Sequence, residues 1–287
     1  MQSDARRPSP LVRTYDIALI YHINTLKAMD IIVPVKQVIA NTERITLSPE
    51  GTIDEKGMTF DINEYDKYSL EEALLIREQS GGTVTAVTVG PERTDRVLRD
   101  CIAKGADKAI RIWEDSIATA DNLTVARILA AVIGPMQFDL ILTGVQAVDD
   151  GGAIIGPALA RLLGINHATM VTGVQLNSGT ARVRRELEDG VEEILDVDLP
   201  TLFAVQTGIN TPRYASVRGI MKAKQADITI MSVSDIGMHG ADWNSLSLTT
   251  IEERYIPQAV CAARILTGTP KEATDELIRI MKEQEAV

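Results

Sequence analysis

The residues of this chain best placed to do chemistry are Thr143-Gly144-Val145-Gln146-Ala147-Val148-Asp149-Asp150-Gly151-Gly152. They follow the apolar run Phe138-Asp139-Leu140-Ile141-Leu142. They lead into Ala153-Ile154-Ile155-Gly156-Pro157 and on to Leu163. The pattern predicts a buried strand, a Gly-rich turn and a helix. Backbone N–H groups in such a turn, together with a helix N-terminus, favour an anion, most often a nucleotide phosphate. Asp149-Asp150 also matches what a metal or a general base requires. Adjacent carboxylates equally complement a helix dipole, and Mg²⁺ sites add further oxygen ligands, which favours the dipole reading.

No catalytic constellation accompanies the turn. His22, His167 and His239 have no partners at metal-ligand spacing. There is no GxxxxGK[ST] loop and no GxGxxG after the first strand, and no serine sits in a nucleophile elbow. Cys101 and Cys261 form no CxxC pair, which fits a reducing compartment. No catalytic residue and no metal site is expected. Asn63-Glu64-Tyr65-Asp66 is the second candidate. One reading makes it a helix-capping cluster; the other turns Asn63 towards a base or ribose in the same crevice.

The elements that must position these residues alternate. Met29 to Lys36 reads as the first strand, and Gln37 to Asp61 as a loop with a turn at Ser48-Pro49-Glu50-Gly51. Leu70, Ala73 and Leu74 give helical spacing up to Glu78. Thr83 to Val89 is a β-branched strand, Thr94 to Lys104 a helix, Lys108 to Trp113 a strand and Asn122 to Ile133 a helix. This is the βαβ pattern of a parallel sheet covered on both faces, whose strand ends at Val35, Val89 and Thr143 share one edge. From Val171 to Leu199 the pattern becomes an antiparallel meander, and Thr201 to Val205 is a last apolar strand. Asp227 to Gly268 is polar and reads as an arm. Thr269-Pro270-Lys271-Glu272 is a capping box that opens a helix with a stripe of Ala273, Leu277, Ile278, Ile280 and Met281. That stripe needs a surface to cover it, on this chain or another. The expected layout is an extension over residues 1–28, an α/β domain over 29–224 and an arm with its helix over 225–287.

The chain of 287 residues is 45% hydrophobic and carries a net charge of -11. That supports a large core and argues against nucleic acid. No apolar run reaches the ~18 residues of a membrane span. The expectation is a soluble, cytoplasmic protein. Met29 reads as a natural start, with a targeting peptide over the first 28 residues as the rival reading.

In order along the chain, Val33-Pro34-Val35-Lys36-Gln37-Val38, Asn63 through Leu74, Val87-Thr88-Val89-Gly90-Pro91 and Gly105-Ala106-Asp107-Lys108-Ala109 resemble the β subunit of electron transfer flavoprotein. The most specific matches are Gly144 through Asp150, Asn210-Thr211-Pro212-Arg213-Tyr214-Ala215 and Gly219 through Lys224. The resemblance implies a three-layer Rossmann-like domain of the adenine nucleotide α-hydrolase-like superfamily, with a mostly parallel sheet, an antiparallel meander and a C-terminal arm ending in a helix. It implies a heterodimer with an α subunit that holds FAD, and flavin dehydrogenases such as acyl-CoA dehydrogenases as partners. It places AMP, or in bifurcating members a second FAD, in this chain's crevice. The contacts it carries over are Pro34, Asn63, Glu64, Tyr65, Asp66, Val89, Gly144, Val145, Gln146, Ala147, Val148, Asp149, Asp150, Gly151, Gly152, Ala153, Ile154 and Ile155. Ile209, Asn210, Pro212, Arg213 and Tyr214 match the family's partner-docking loop, with Ile209 at its apolar position, and the arm matches the extension that wraps the α subunit.

The turn departs from the family. AMP-binding members follow it with a third Asp and polar residues ending in Gln-Thr-Gly-Gln, where this chain has Gly151-Gly152-Ala153-Ile154-Ile155. The Gly156-Pro157 ending and Lys36-Gln37-Val38 are more similar to bifurcating members. Those usually carry a Thr and a Gln in the turn, and Lys or Arg where Val145 stands. FAD is slightly favoured over AMP. The alternative function is a stand-alone nucleotide-binding protein of the universal-stress type, or a nucleotide hydrolase; the long arm and the absent acid/base set weigh against it.

Overall fold

The computed structural model describes residues 27–40, 44–238, 240, 246–257 and 263–284. They fall into two compact units. One comprises Gly57–Thr250 with the described residues ahead of 41; the other comprises Arg44–Lys56 with the described residues from Ile251 on. Residues 1–26, which hold most of the expected extension, lie outside the described residues. Among the described residues no helix is long and apolar enough to cross a membrane.

In the larger unit the chain runs β1 (Met29–Pro34), β2 (Gln37–Ile39), β3 (Phe60–Ile62), α1 (Glu64–Ser80), β4 (Gly82–Val89), α2 (Asp95–Lys104), β5 (Lys108–Ile112), α3 (Asn122–Ile133), β6 (Leu140–Gly144) and α4 (Ile155–Leu163). It continues with β7 (Asn166–Leu176), β8 (Thr180–Glu186), β9 (Glu192–Asp198), β10 (Thr201–Val205), α5 (Val217–Gln225) and β11 (Thr229–Met231). Nine strands form one sheet in the order β11-β5-β4-β1-β6-β10-β7-β8-β9. Pairing is parallel from β11 to β7 and antiparallel from β7 to β9.

Period-two alternation along β1 distributes its side chains to two cores. Ile31 and Val33 pack with Leu70 and Leu74 of α1 and Leu98 and Cys101 of α2. Ile32 packs on the other face with Ile128 and Leu129 of α3 and Leu159 of α4. Helices therefore cover both faces, as the alternating pattern requires.

The structure adds strands where the sequence suggested none. The stretch expected to be loop from Gln37 to Asp61 holds β2 and the start of β3, which pair antiparallel. The polar stretch after Asp227 supplies β11, which pairs with β5, and Val233 is buried just after it. Each of these strands is three residues long, too short to show a period. Helix α1 starts at Glu64, ahead of the first apolar repeat, because its polar first turn is held by tertiary contacts. Strand β10 is buried along its whole length between β6 and β7.

In the smaller unit, Leu47 and Ile53 bridge across the Ser48 turn. Helix α6 (Pro270–Glu283) has the expected capping box: Thr269 Oγ1 accepts from Glu272 N, and Glu272 accepts from Thr269 N at 2.8 Å. Arg279 pairs with Glu276 and Glu283 on its polar side, and Leu277 and Ile278 of its apolar stripe are exposed.

Candidate functional site

The chain leaves β1 for β4 and β5 on one side, then crosses back to form β6 on the other. Strand order thus reverses at β1, and the crevice outside the carboxyl ends of β1, β4 and β6 is where such sheets take ligands. A cavity of about 750 Å³, counting its part open to solvent, lies there. Val87, Val89, Val125 and Leu129 make an apolar wall, and Lys36, Asn63, Asp66, Asn122, Thr143 and Gln146 supply polar atoms.

Asn63 joins α1 to the turn after β6. It occupies the N-cap position of α1 but makes no side-chain cap bond there. Its Nδ2 donates to Gln146 O at 2.9 Å and to Asp66 Oδ1 at 3.0 Å, and its Oδ1 accepts from Val148 N at 3.0 Å. The side chain is therefore not the helix cap; it lines the crevice as a splice across 83 to 85 positions of sequence. Tyr65 adds a second tie, its hydroxyl accepting from Gln146 Nε2 at 3.0 Å. Gly144 permits the close approach: a Cβ there would meet Asp66 Oδ1 at 2.5 Å and Tyr65 Cβ at 2.7 Å.

Asp66 is buried and accepts from Lys36 N at 2.7 Å. Burial pushes its carboxyl up to about 7, against the pull of the Lys36 and Gly144 amides and the Asn63 side chain. The native state then keeps a proton that the unfolded chain has lost. Asp66 therefore makes the fold less stable as pH rises from about 4 to about 7, with no further change above that. In urea titrations across this window, wild type should lose on the order of 1 kcal/mol more per pH unit than Asp66→Asn. Parallel pH responses would remove Asp66 from the titration.

The acidic pair of the turn is engaged. Lys36 Nζ donates to Asp149 Oδ1 at 2.7 Å and to Asp150 Oδ2 at 2.9 Å. Burial works against the Lys36 charge, but the two carboxylates outweigh it and hold its pKa above the usual value. Asp150, which burial alone would raise, is held low by Lys36. Asp150 Oδ1 also accepts from Gly152 N at 2.8 Å. Gly152 lies so close to Asn122 of α3 that a Cβ would collide with its amide. The carboxylates thus shape the turn. Among the described residues, no group of three or more His, Cys, Asp or Glu could hold a metal ion.

Two features leave hydrogen-bonding capacity unmet in the lining of the crevice. Thr143 Oγ1 is buried without a partner. Helix α4 starts after Ile154, which provides no side-chain cap, so the amides of its first turn depend on water or a ligand.

Of the expected contacts, Pro34, Asn63, Asp66, Val89, Gly144, Val145, Gln146, Ala147, Asp150, Gly152, Ala153 and Ile155 line the crevice together. Tyr65 and Asp149 act behind it, through Gln146 and Lys36. Glu64 pairs with Lys67 and lines a separate small recess with Val148. Gly151 and Ile154 are exposed. The crevice also takes in Lys36, Asn122 and Thr143, which the contacts carried over from the family omit. Thr143 and Lys36 end strands that were recognised, so their position was a usable signal; Asn122 begins a helix and carried none.

Loop 209–214 is pinned to α1. Arg213 Nε and Nη2 donate to the two oxygens of Glu71 at 2.8 and 2.9 Å, and Nη1 donates to Glu78 at 2.5 Å. Asn210 Nδ2 donates to Tyr68 O and to Glu72, both at 3.0 Å. Burial raises the Glu72 carboxyl. Ile209 is half-buried against the core, whereas Tyr214 is 97% exposed. Asn210 and Arg213 therefore hold the loop, and Tyr214 is its outward side chain.

The family model for the electron transfer flavoprotein domain matches residues 50–236. An electron transfer flavoprotein subunit beta of Methylophilus methylotrophus is 39% identical over 261 residues, 89% of this chain and 98% of its own. That of Bacillus subtilis is 36% identical over 260 residues, 90% of this chain and 100% of its own. The caffeyl-CoA reductase-Etf complex subunit CarD of Acetobacterium woodii is 34% identical over 264 residues, with 90% and 100% covered.

Proposed function

Because the chain belongs to the electron transfer flavoprotein β-subunit family, we propose that it is the nucleotide-binding half of a two-chain electron carrier, paired with an α subunit and serving flavin dehydrogenases. The observation that carries the reading is the crevice at the β1 switch point, where the uncapped start of α4 meets an apolar wall and a partnerless Thr143 hydroxyl is buried in the lining. This donor set suits the AMP moiety common to AMP and FAD. Thr143 and the amides of the turn and of α4 would take phosphate oxygens, and Val87, Val89, Val125 and Leu129 would cover the adenine. Asp149 and Asp150 do not oppose the phosphates as bare charges, since Lys36 neutralises much of their field. Bound flavin supplies the redox chemistry; this chain binds, orients and excludes water. The exposed stripe of α6 supports a partner chain as its cover.

Coexpression with the α subunit should give a yellow heterodimer. Denaturing it and counting released nucleotides should find FAD plus AMP, or two FAD, the second outcome indicating a bifurcating carrier. One FAD and no second adenine nucleotide would sink the crevice reading. Thr143→Val sharpens the measurement. It removes a hydroxyl with no partner in the protein, so stability should stay within about 0.5 kcal/mol, while retention of the crevice nucleotide should fall about tenfold.

A further inference from the structure

The turn after β6 has two fastenings. Its near end is spliced to α1 by Asn63, through Gln146 O and Val148 N. Its far end is gripped from both sides. From β1, Lys36 Nζ reaches Asp149 and Asp150, and the Lys36 backbone N–H is itself fixed by Asp66. From α3, the Asn122 side chain bonds Asp150 and lies against Gly152. Among the described residues that line the crevice, Lys36 is the only cation. Two of its three N–H donors are taken by the two carboxylates.

The gripped segment ends in strain. Ala153 holds φ at 29°, in the left-handed region that its Cβ disfavours. Met170 and Asp189 are the other described non-glycine residues with positive φ, and neither lines the crevice as Ala153 does. Alanine has no side-chain polar atom to bond its own backbone there, as Asn or Asp would. Something outside the residue must therefore hold it. Leu159 and Ala160 fix the body of α4 in the core. Relaxation of Ala153 would thus displace the turn rather than the helix, and Asp150 and Gly152 of the crevice wall would move with it.

We propose that Lys36 and Asn122 are positioning residues for the crevice ligand: their grip on the Asp149-Asp150 pair holds the turn in its strained form, and that form is the one that takes the nucleotide phosphates. The proposal rests on reading the crevice as an adenine-nucleotide site. Lys36 acts through the carboxylates and not on the phosphate. The magnitudes match. A half-exposed ion pair adds little to global stability. The strain to be offset is also small, about tenfold in population for one left-handed alanine. Two ion pairs and the Asn122 bond are enough to offset it.

The test uses the intact heterodimer, loaded in parallel with radiolabelled AMP and radiolabelled FAD, and times release of the crevice label into excess unlabelled AMP. Lys36→Met should release the label about tenfold faster, with a thermal midpoint near wild type. Lys36→Arg, which keeps the cation, should recover most of that loss. Ala153→Gly in the Lys36→Met background should bring release back to within about threefold of wild type, because glycine holds that φ without a clasp. Asp149→Asn/Asp150→Asn should also speed release, although it removes two negative charges from the turn. Slower release from this last variant would make the carboxylates a plain electrostatic barrier with Lys36 as counter-charge, and would overturn the proposal. Release from Lys36→Met/Ala153→Gly as fast as from Lys36→Met would make Lys36 a direct phosphate ligand, and would also overturn it. A wild-type heterodimer that takes up neither label in the crevice would instead sink the nucleotide reading, and this proposal with it.

Discussion

Asn63→Asp should be among the most damaging single substitutions in the crevice, lowering stability by about 4 kcal/mol at neutral pH and abolishing the proposed nucleotide binding there. Asn63 is 1% exposed and satisfies three groups at once: Val148 N, Gln146 O and Asp66 Oδ1. An aspartate keeps the acceptor for Val148 N. Its second oxygen then faces two other oxygens, Gln146 O and the buried Asp66 carboxylate 3.0 Å away. Two carboxylates so close cannot both ionise, and one must hold a proton. Part of the loss should therefore return on acidification, because the raised native pKa makes stability fall as pH rises. Asn63→Ala removes the repulsion but leaves Val148 N and Gln146 O unmatched, at a cost of about 2–3 kcal/mol. The order wild type, Ala, Asp in denaturation midpoint, with nucleotide retention falling in parallel, is the expected result. An Asp variant as stable as wild type would show that the turn does not depend on this splice.

Arg213→Ala should cost about 2–3 kcal/mol and release loop 209–214 while nucleotide content stays at wild-type level. Glu71 is 6% exposed and receives two parallel bonds from the guanidinium. Pairing with Glu71 and Glu78 holds the Arg213 pKa far above its ordinary value. Removing the cation leaves a buried carboxylate with only the backbone N–H of residue 213 as donor, uncompensated in charge, which is costly. Glu78 is more exposed, and its share is small. Arg213→Lys cannot reproduce the two-pronged contact and should fall in between. The double variant Glu71→Leu/Arg213→Leu should regain most of the stability, since neither charge is then stranded. Hydrogen exchange at residues 209–214 is the direct readout. Unchanged exchange in Arg213→Ala would mean that Asn210 and its bond to Glu72 hold the loop by themselves.

These two sites show how far local pattern reaches. Helix α3 was legible to the residue because Asp121 caps it through Thr124 N at 2.8 Å, its apolar residues repeat at helical spacing and Gly134 ends it. The turn from Gly144 to Gly152 was legible as a crevice wall because it links a buried strand to a helix at the edge where strand order reverses. Asn63 was visible as a residue of interest, yet its partners in the turn sit more than 80 positions away, and nothing near it in sequence names them. Arg213 and Glu71 are 142 positions apart, and their pairing was not readable at all.

The order of residues by itself determined the alternating α/β plan, the crevice at one sheet edge, the capped final helix and the family. All of these are written in short-range periodicity, turn chemistry and ordered local motifs. Only the tertiary structure decided that β10 slots between β6 and β7, that three short strands join the sheets, and that Asn63 splices α1 to the turn after β6. It also decided that Asn210 and Arg213 hold loop 209–214 from within while Tyr214 faces out. The reason is physical. Periodicity reports how much of an element is buried, but not against what. Strand neighbours and buried polar partners are chosen when the whole sheet closes and each desolvated donor has to find an acceptor.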